Sequence, residues 1–228
     1  MTSAHPELIT VSREFGAGGS DLARLLGERL NWPVLDDEVV CRCAKRLNID
    51  ESAVARLREH SPTLLARISA ALLVAPPEAP WFDTSSLMRI DAIAEAALES
   101  ITEAAQSLPL IVVGFGTQCM FASRSDALHV RLVAPMESRV ARLRARFDWD
   151  APTAAMKARE MDDVRRRYVQ RYFHRDLHDP LLYDVQINTG KTTIDEAVGM
   201  IERLVRGEHA SLFASAGEHE HGAGALAS

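Results

Sequence analysis

A glycine-rich turn, Gly16-Ala17-Gly18-Gly19-Ser20, is the feature of the chain with the clearest chemical meaning. Closely spaced glycines let successive backbone N–H groups face one anion. The N-terminus of a helix just behind such a turn adds unpaired donors and a favourable dipole. The apolar run Leu8 to Ser12 predicts a strand before the turn, and leucines at helical spacing predict a helix after it.

The turn therefore predicts a phosphate-binding loop that contacts a nucleotide, although a purely structural strand-to-helix connection is the alternative. Ser20 or Asp21 is expected to cap the helix that follows. The residues predicted to contact the nucleotide are Gly16, Ala17, Gly18, Gly19, Ser20 and Asp21.

The turn departs from the usual phosphate-loop pattern, G-x-x-x-x-G-K-[ST]. Gly18 falls on the second glycine and Ser20 on the hydroxyl residue, but Gly19 stands at the lysine position and Arg13 at the first glycine. Because the lysine normally neutralises the outer phosphates, another cation is needed, and Arg13 or later arginines are the candidates. If none serves, the chain would bind nucleotide without transferring phosphate. Gly18→Val is expected to fill the anion nest and abolish nucleotide binding with the fold intact.

Arginines are dense between residues 139 and 175, in a chain whose formal net charge is -6. A lid that closes over phosphates needs arginines on one face of a helix. A solvated surface with i,i+4 ion pairs has the same spacing and is the alternative. Two sets of residues each share a predicted helix face: Arg139, Arg142 and Arg146, and then Arg159, Asp163 and Arg166.

Apolar strands alternate with helices along the chain, which predicts an α/β fold with a doubly wound, parallel, five-stranded sheet. Ligands of such sheets bind at the carboxyl ends of the strands, where the Gly16 turn, Asp36, Gly114 and Asn188 fall. Asp36 is expected to bind sugar hydroxyls or a magnesium-bound water, or else to cap the next helix. The predicted strands are Leu8–Ser12, Val34–Leu35, Leu108–Gly114, Ala127–Val133 and Tyr183–Ile187, and the later helices lie near residues 87–105, 137–146, 153–173 and 193–205.

The length of 228 residues predicts one domain over residues 1–206 and a disordered tail over 207–228. The segment at about 39–105 is expected to cover the acceptor, and the segment at about 139–175 to form the lid. Acceptor choice is expected to depend on Ser61 to Thr84, where Trp81 and Phe82 either stack on a base or pack. Leu64 to Leu73 would suit the interface of a homodimer.

Composition argues against several classes of partner. The net charge of -6 does not favour nucleic acid or an anionic membrane, and no apolar run approaches the roughly 20 residues that span a bilayer. No N-terminal secretory pattern is present, and Cys41, Cys43 and Cys119 are expected to be reduced thiols of a cytoplasmic protein. His174 and His178 are four residues apart, but without a third ligand they are expected to be surface residues.

The order of these motifs resembles the cytidylate kinase-like family, P-loop proteins similar to bacterial cytidylate kinase. The run Ile9 to Gly19 (ITVSREFGAGG) is similar to the opening of that family, including its lysine-less loop. The segments Trp32 to Asp36 and Leu110 to Gly114 resemble its second and central strands. The resemblance spans about residues 8–205, and its C-terminal order is followed by Arg159, Asp163, Arg166, Tyr168, Tyr183-Asp184 and Ile187-Asn188-Thr189.

The resemblance implies a P-loop NTPase-like fold with a helical lid, and phosphorylation of a nucleoside monophosphate, or a similar small-molecule phosphoacceptor, by ATP with Mg²⁺. Phe115 stands where the family usually carries an arginine near the substrate phosphate. A catalytically inactive nucleotide-binding module and a transferase of another group, such as sulfuryl, stay open as alternatives.

With the resemblance added to the spacing, each candidate residue has an expected role. Arg166→Ala is expected to lower turnover more than ATP affinity. The expected roles are catalysis by Arg13, Arg159 and Arg166, acceptor contact by Asp36, Gly114 and Asp163, lid closure by Arg139, Arg142 and Arg146, and metal binding by Ser20.

Overall fold

The computed structural model describes residues 5–36, 98–99, 101–107 and 109–208. Most of the predicted acceptor-covering segment therefore lies outside the described residues, including Cys41, Cys43 and the whole of Ser61 to Thr84. The predicted tail lies outside them from residue 209 onward.

Five parallel strands form one sheet, which confirms the predicted α/β architecture. The strand order is β2-β3-β1-β4-β5, so β1 lies in the middle of the sheet and is buried along its whole length. The order reverses beside β1, and ligands of such folds bind at that switch point. The strands are β1 (Leu8–Arg13), β2 (Val34–Leu35), β3 (Leu110–Val113), β4 (Ala127–Val133) and β5 (Val185–Asn188).

Helices pack on both faces of the sheet, as a doubly wound fold requires. Helix α4 begins with the Asp150 side chain accepting a hydrogen bond from Thr153 N, and α5 begins with a capping box between Thr193 and Glu196. In the part of the chain that the structure describes, no helix has the length and apolar character to cross a lipid bilayer. The helices are α1 (Gly19–Leu30), α2 (Thr117–Met120), α3 (Met136–Phe147), α4 (Ala151–Phe173) and α5 (Ile194–Val205), with helical residues also at 98–99 and 101–104 and a 3₁₀ turn at Pro180–Leu182.

Two apolar clusters fix β1 from opposite faces. Ile9 and Val11 pack in the cluster that contains the buried residues of α1 and α5, whereas Leu8 packs in the cluster that contains Tyr168 and Val169 of α4. A third cluster joins Phe15 to α3 and α4. The strand that carries the glycine turn is therefore packed on both faces, and the turn also packs against the two arginine-rich helices.

The start of α1 differs from the sequence prediction. Its N-cap is Gly18 in the left-handed conformation, with φ 87°, and no side chain caps the helix. Ser20 and Asp21 lie inside the first turn instead, so the prediction that one of them is the cap is wrong. The physical reason is that a glycine accepts this backbone conformation without steric cost, and the helix can therefore begin within the turn itself.

Candidate phosphate-binding site

The turn after β1 presents a set of backbone N–H groups without acceptors. Gly16 and Gly18 both have positive φ, 86° and 87°. Within the described residues, the N–H groups of Gly16, Gly18, Gly19 and Ser20 make no hydrogen bond. Consecutive free N–H groups at the start of a helix form a nest for an anion, so the backbone is arranged as the glycine pattern predicts.

Other backbone groups in and next to the turn already have hydrogen-bond partners. Ala17 N donates to the Glu14 oxygen at 3.1 Å, and Thr189 Oγ1, just after β5, donates to the Ala17 oxygen at 2.9 Å. Phe15 N donates to Asp162 Oδ1 at 2.8 Å. These bonds hold the turn in place from β5 and from α4, leaving the glycine N–H groups as its unused donors.

Arg139 is the buried centre of this support. Its side chain is 5% exposed, its Nη1 lies 3.1 Å from Glu14 Oε2, and its Nη2 donates to Asp162 Oδ2. Burial raises the pKa of Asp162, while the Phe15 N–H and the nearby Arg139 and Arg165 act in the opposite direction. The Arg139 guanidinium is thus engaged by two carboxylates, and its predicted lid contact with phosphate stays a prediction.

Asp162→Ala is expected to lower the free energy of unfolding by about 2 to 3 kcal/mol, because it leaves a buried arginine with one carboxylate instead of two. At roughly 2 to 4 °C per kcal/mol for a chain of this size, the melting temperature should fall by about 4 to 12 °C. The neighbouring Asp163→Ala is the matched control, since its carboxylate is 57% exposed and an exposed ion pair contributes little. Equal melting temperatures for the two variants would contradict the structural role of Asp162.

Arg13 occupies the space beside the missing lysine. A Cβ built on Gly19 would lie 2.7 Å from Arg13 Cγ and 3.1 Å from its Cβ and Cδ. The Arg13 stem therefore passes over the backbone position at which the usual pattern has its lysine. Its Nη2 is 3.7 Å from Asp36 Oδ1, and its side chain is 5% exposed.

A pocket of about 550 Å³ opens over the turn, and it is called the loop pocket below. Its volume lies in the range of ordinary ligand sites. Arg142 donates to both the oxygen and Oγ1 of Thr189, and the exposed Arg146 is 4.0 Å from Asp21. Most of the residues predicted to contact the nucleotide line this pocket: Gly16, Gly18, Gly19, Ser20 and Asp21. Asp36 also lines it, as do arginines from three elements: Arg13 of β1, Arg142 and Arg146 of α3, and Arg165 of α4.

Arg165 is the lining cation that the sequence analysis missed. Its side chain is 11% exposed, its Nη1 donates to the Arg13 oxygen at 3.0 Å, and its guanidinium lies 5.6 Å from the Phe15 ring centre. The sequence does indicate this position, because position 165 falls on a helix face whose residues recur every three or four positions. Four buried residues of α4 lie on that face: Ala154, Ala158, Met161 and Tyr168.

The arginines predicted on α4 lie on a different face. Arg159 is exposed, and Arg166 pairs with Asp163 at 3.0 Å while 50% of its side chain is exposed. Neither arginine, nor Asp163, lines the loop pocket. Their predicted catalytic and acceptor contacts stay predictions, which substitution of Arg166 tests below.

A smaller cavity adjoins the loop pocket where β1 and β3 end. It has a volume of about 20 Å³, and Gly114 and Phe115 line it together with Ser12 and Gln118. Arg13 and Arg165 line both compartments. Gly114 therefore lies at the expected edge of the sheet, and Asp36 lines the neighbouring loop pocket.

The reason given for the Gly18→Val expectation is wrong. A Cβ on Gly18 would lie 2.6 Å from Ile194 Cδ1 at the start of α5. The added side chain would therefore point toward α5 instead of filling the anion nest.

The described residues include neither a metal-binding cluster nor a reactive thiol. No group of three or more His, Cys, Asp or Glu side chains there could hold a metal. His174 ends α4 in the left-handed conformation and His178 lies beyond it, so the two do not share a helix face. Burial raises the pKa of the Cys119 thiol to about 11, which keeps it protonated and unsuited to act as a nucleophile.

Comparison with known sequences gives a family match over most of the chain. The model of the cytidylate kinase-like family matches residues 8–191. No curated protein has a sequence that matches this chain. The matched range includes the glycine turn, both arginine-rich helices and the end of β5.

Solved structures share the fold at low sequence identity. An uncharacterized protein from Eubacterium ventriosum has a TM-score of 0.64 at 20% identity, and the match covers 88% of this chain and 98% of that one. A gluconokinase from Sinorhizobium meliloti has a TM-score of 0.52 at 13% identity, with 94% and 99% covered. Shikimate kinase from Acinetobacter baumannii, in complex with shikimate, has a TM-score of 0.50 at 14% identity, with 90% and 95% covered.

Proposed function

The chain belongs to the cytidylate kinase-like family, and on that premise we propose that it is an ATP-dependent phosphotransferase. Its acceptor is a nucleoside monophosphate or a similar small molecule. The observation that carries the proposal is the combination, in one pocket, of the free N–H groups of the glycine turn with four arginines, Arg13, Arg142, Arg146 and Arg165. Phosphoryl transfer depends mostly on positioning and charge neutralisation, and this lining supplies both.

Each part of the lining has a distinct role in the proposal. The N–H groups of Gly18, Gly19 and Ser20 bind the inner phosphates of ATP, and Arg13 takes the place of the lysine at the outer ones. Arg165 approaches from α4 and neutralises charge on the transferred group. Arg142 joins the α3 lid segment to Thr189 after β5.

A magnesium ion fits this lining on chemical grounds. Ser20 lines the loop pocket directly behind the nest, and a hydroxyl at that loop position holds Mg²⁺ together with phosphate oxygens in P-loop proteins. When bound, the ion would offset the negative charge of the phosphates.

An ADP-release assay with ATP and Mg²⁺ against a panel of nucleoside monophosphates tests the proposal, run beside an ATP-binding titration. Acceptor-dependent ADP release supports the kinase. The second candidate is a nucleotide-binding regulatory module without turnover, which the glycine at the lysine position favours. ATP binding with no turnover for any acceptor would favour that candidate, and absence of ATP binding would contradict both.

Arg165→Ala is expected to lower kcat/KM about 100-fold, the usual cost of removing one donor that stabilises transition-state charge. Arg166→Ala is the matched control on the same helix, and its exposed pairing with Asp163 predicts a change of about threefold or less. Both variants are compared in the ADP-release assay, with melting temperatures to show that they fold. If Arg166→Ala loses turnover and Arg165→Ala does not, the catalytic role predicted for Arg166 is supported and the assignment of Arg165 fails.

Cytoplasmic location and a homodimer complete the proposal. The absence of a bilayer-spanning helix in the described residues is compatible with that location. Fractionation of cells that express the protein tests the first, and sedimentation velocity of the purified chain tests the second.

A further inference from the structure

A cleft at the end of α4 lies outside the proposed nucleotide site. It has a volume of about 450 Å³, which is in the range of small-molecule sites, and it is called the basic cleft below. Among the described residues, none of its lining is shared with the loop pocket or with the smaller cavity. The lining consists of Arg166, Arg167, Gln170, Arg171, Asp176 and His178.

Positive charge dominates this lining, although the chain as a whole has a formal net charge of -6. The lining contains three arginines and one carboxylate, that of Asp176, whose Oδ1 already accepts from His178 N at 2.9 Å. A cation near the C-terminus of a helix can offset the helix dipole. That explanation suits Arg171 in the last turn of α4, but Arg166 and Arg167 lie about two turns before its end. The dipole therefore accounts for Arg171 alone.

A buried guanidinium contacts one wall of the cleft. Arg131 of β4 is 3% exposed, and its Nη2 lies 3.2 Å from Nδ1 of His178. Its Nη1 donates to the Leu177 oxygen at 2.7 Å and to the Tyr183 hydroxyl at 2.9 Å. In the part of the chain that the structure describes, none of these partners is a carboxylate. A buried charge without a counter-charge is costly, and a negative charge in the cleft would offset it.

The contact with Arg131 fixes the protonation of the His178 ring. A guanidinium can only donate, so Nδ1 of His178 must accept and carries no proton. The neutral ring then has its proton on Nε2, which gives the lining of the cleft a further hydrogen-bond donor. The basic cleft thus offers guanidinium groups from α4 and an imidazole N–H from the segment that follows the helix.

We propose that the basic cleft binds the phosphate group of a small molecule, at a site separate from the nucleotide. Arginines suit phosphate oxygens because each guanidinium presents several donors in one plane. Arg167 and Arg171 are four residues apart and share a face of α4. The bound phosphate accepts from them and from His178, and its charge lies one imidazole ring away from Arg131. The negative net charge of the chain favours a small phosphate compound over a nucleic acid.

Isothermal titration calorimetry of the full chain tests the site. The loop pocket is first saturated with a non-hydrolysable ATP analogue and Mg²⁺, and chloride holds the ionic strength constant so that general screening does not change. The probes are inorganic phosphate, glycerol phosphate, succinate and a short single-stranded oligonucleotide. We expect a phosphate compound to bind at a single site per chain. Equal affinities for the first two probes would identify free phosphate as a sufficient ligand, whereas tighter binding of the ester would identify an organic phosphate.

The same titrations can overturn the inference. Absence of binding by both phosphate probes would show that the cleft is a solvated surface. Succinate binding as tightly as phosphate would show a site for carboxylates as much as for phosphate. Tighter binding of the oligonucleotide would make the cleft part of a nucleic-acid surface.

A double variant, Arg167→Gln with Arg171→Gln, removes two cations from the cleft and leaves the loop pocket unchanged. We expect phosphate affinity to fall about 10- to 100-fold, roughly three- to tenfold for each charge-assisted contact at a partly exposed site. Arg203→Gln is the matched control, because Arg203 is an exposed arginine of α5 that lines neither pocket. Melting temperatures show that the variants fold. Equal phosphate affinities in the double variant and the control would place the phosphate elsewhere and overturn the inference.

NMR of the wild-type protein locates the anion without a substitution. We expect inorganic phosphate to shift the ring ¹H–¹⁵N signal of His178 more than that of His129, which is buried in β4 and bonded to Thr10. A larger shift at His129 would contradict a phosphate in the cleft.

These measurements keep the basic cleft separate from the proposed phosphotransferase. Failure of the ATP analogue to bind contradicts the phosphotransferase, while the phosphate titration still reports on the cleft. Binding of the ATP analogue without cleft-dependent phosphate binding contradicts only the present inference.

Discussion

Replacing Arg13 by alanine is expected to lower kcat/KM for ATP about 100- to 1000-fold, the range seen when one preorganised charge-stabilising donor is removed. The Arg13 stem lies over Gly19, within 2.7 Å of a Cβ built there. Arg13 lines both the loop pocket and the smaller cavity beside it. Without it, the described lining near Gly19 loses the cation closest to the usual lysine position. The effect should be larger on ATP than on ADP, because the outer phosphate gains most from that charge.

The chain offers a direct rescue of this loss. In the Arg13→Ala background the space over Gly19 is vacated, so Gly19→Lys can restore the usual arrangement and should recover at least a tenth of the activity, a roughly 10-fold or greater gain. Gly19→Lys alone should lower activity, because the new side chain collides with the Arg13 stem. ADP release and separate ATP and ADP titrations are the measurements. Full activity and an unchanged ATP preference in Arg13→Ala would show that the arginine does not replace the lysine.

Local patterns in the sequence predicted the sheet and the glycine turn well. The apolar run before Gly16 and the leucines after it define a strand and a helix without reference to the rest of the chain. Boundaries were less accurate, since β1 continues to Arg13 and α1 starts at Gly19. Such ends depend on hydrogen bonds that periodicity does not report.

Arginine spacing was a weaker guide to the site. The prediction for Arg159 and Arg166 rests on their spacing together with the family resemblance, and both lie on the exposed face of α4. Arg165 is the arginine of α4 that lies in line with the buried apolar residues of that helix. A charged residue on a buried face needs a specific partner or ligand, so this position is the better candidate. Sequence spacing thus identifies a helix face, but the neighbouring apolar residues decide which face is inside.

Two features of the site carried no sequence signal. Gln118 Nε2 is buried without a hydrogen-bond partner. The Leu177 oxygen, which lines the same cavity, accepts a hydrogen bond from Arg131 on β4. The burial of Arg139 likewise depends on Glu14 and Asp162, which come from the turn and from α4. These contacts join residues far apart in the chain, so they arise only after the fold is formed.

Gly18→Val is expected to unfold much of the protein, which reverses the expectation from sequence that the fold stays intact. Gly18 has φ 87°, and a left-handed conformation costs an ordinary residue about 1 to 2 kcal/mol. The Cβ would also overlap Ile194 Cδ1, at 2.6 Å, and overpacking of this kind adds about 1 to 3 kcal/mol. For Gly18→Ala the two terms predict a loss of about 2 to 5 kcal/mol, and valine should lose more because its branches enlarge the clash.

A double-mutant cycle separates the cost of the left-handed backbone at position 18 from the cost of the overlap with Ile194. Ile194→Val removes the Cδ1 atom that the new Cβ meets, so Gly18→Ala with Ile194→Val should recover about 1 to 3 kcal/mol of the loss. The left-handed strain should remain. Gly199→Ala in α5 is the matched control, since a Cβ there meets nothing within 4 Å, and it should stabilise the protein by about 0.5 to 1 kcal/mol.

Urea denaturation of the single and double variants measures these changes, and an ATP titration of each folded variant completes the test. Nucleotide affinity in Gly18→Ala should survive in the folded fraction, because the nest N–H groups are still present and the Cβ points toward α5. If Gly18→Val instead keeps the stability of the wild type and loses only nucleotide binding, then its side chain enters the nest and the packing of the turn against Ile194 is contradicted. Glycine at position 18 would in that case be required for the anion and not for the contact with α5.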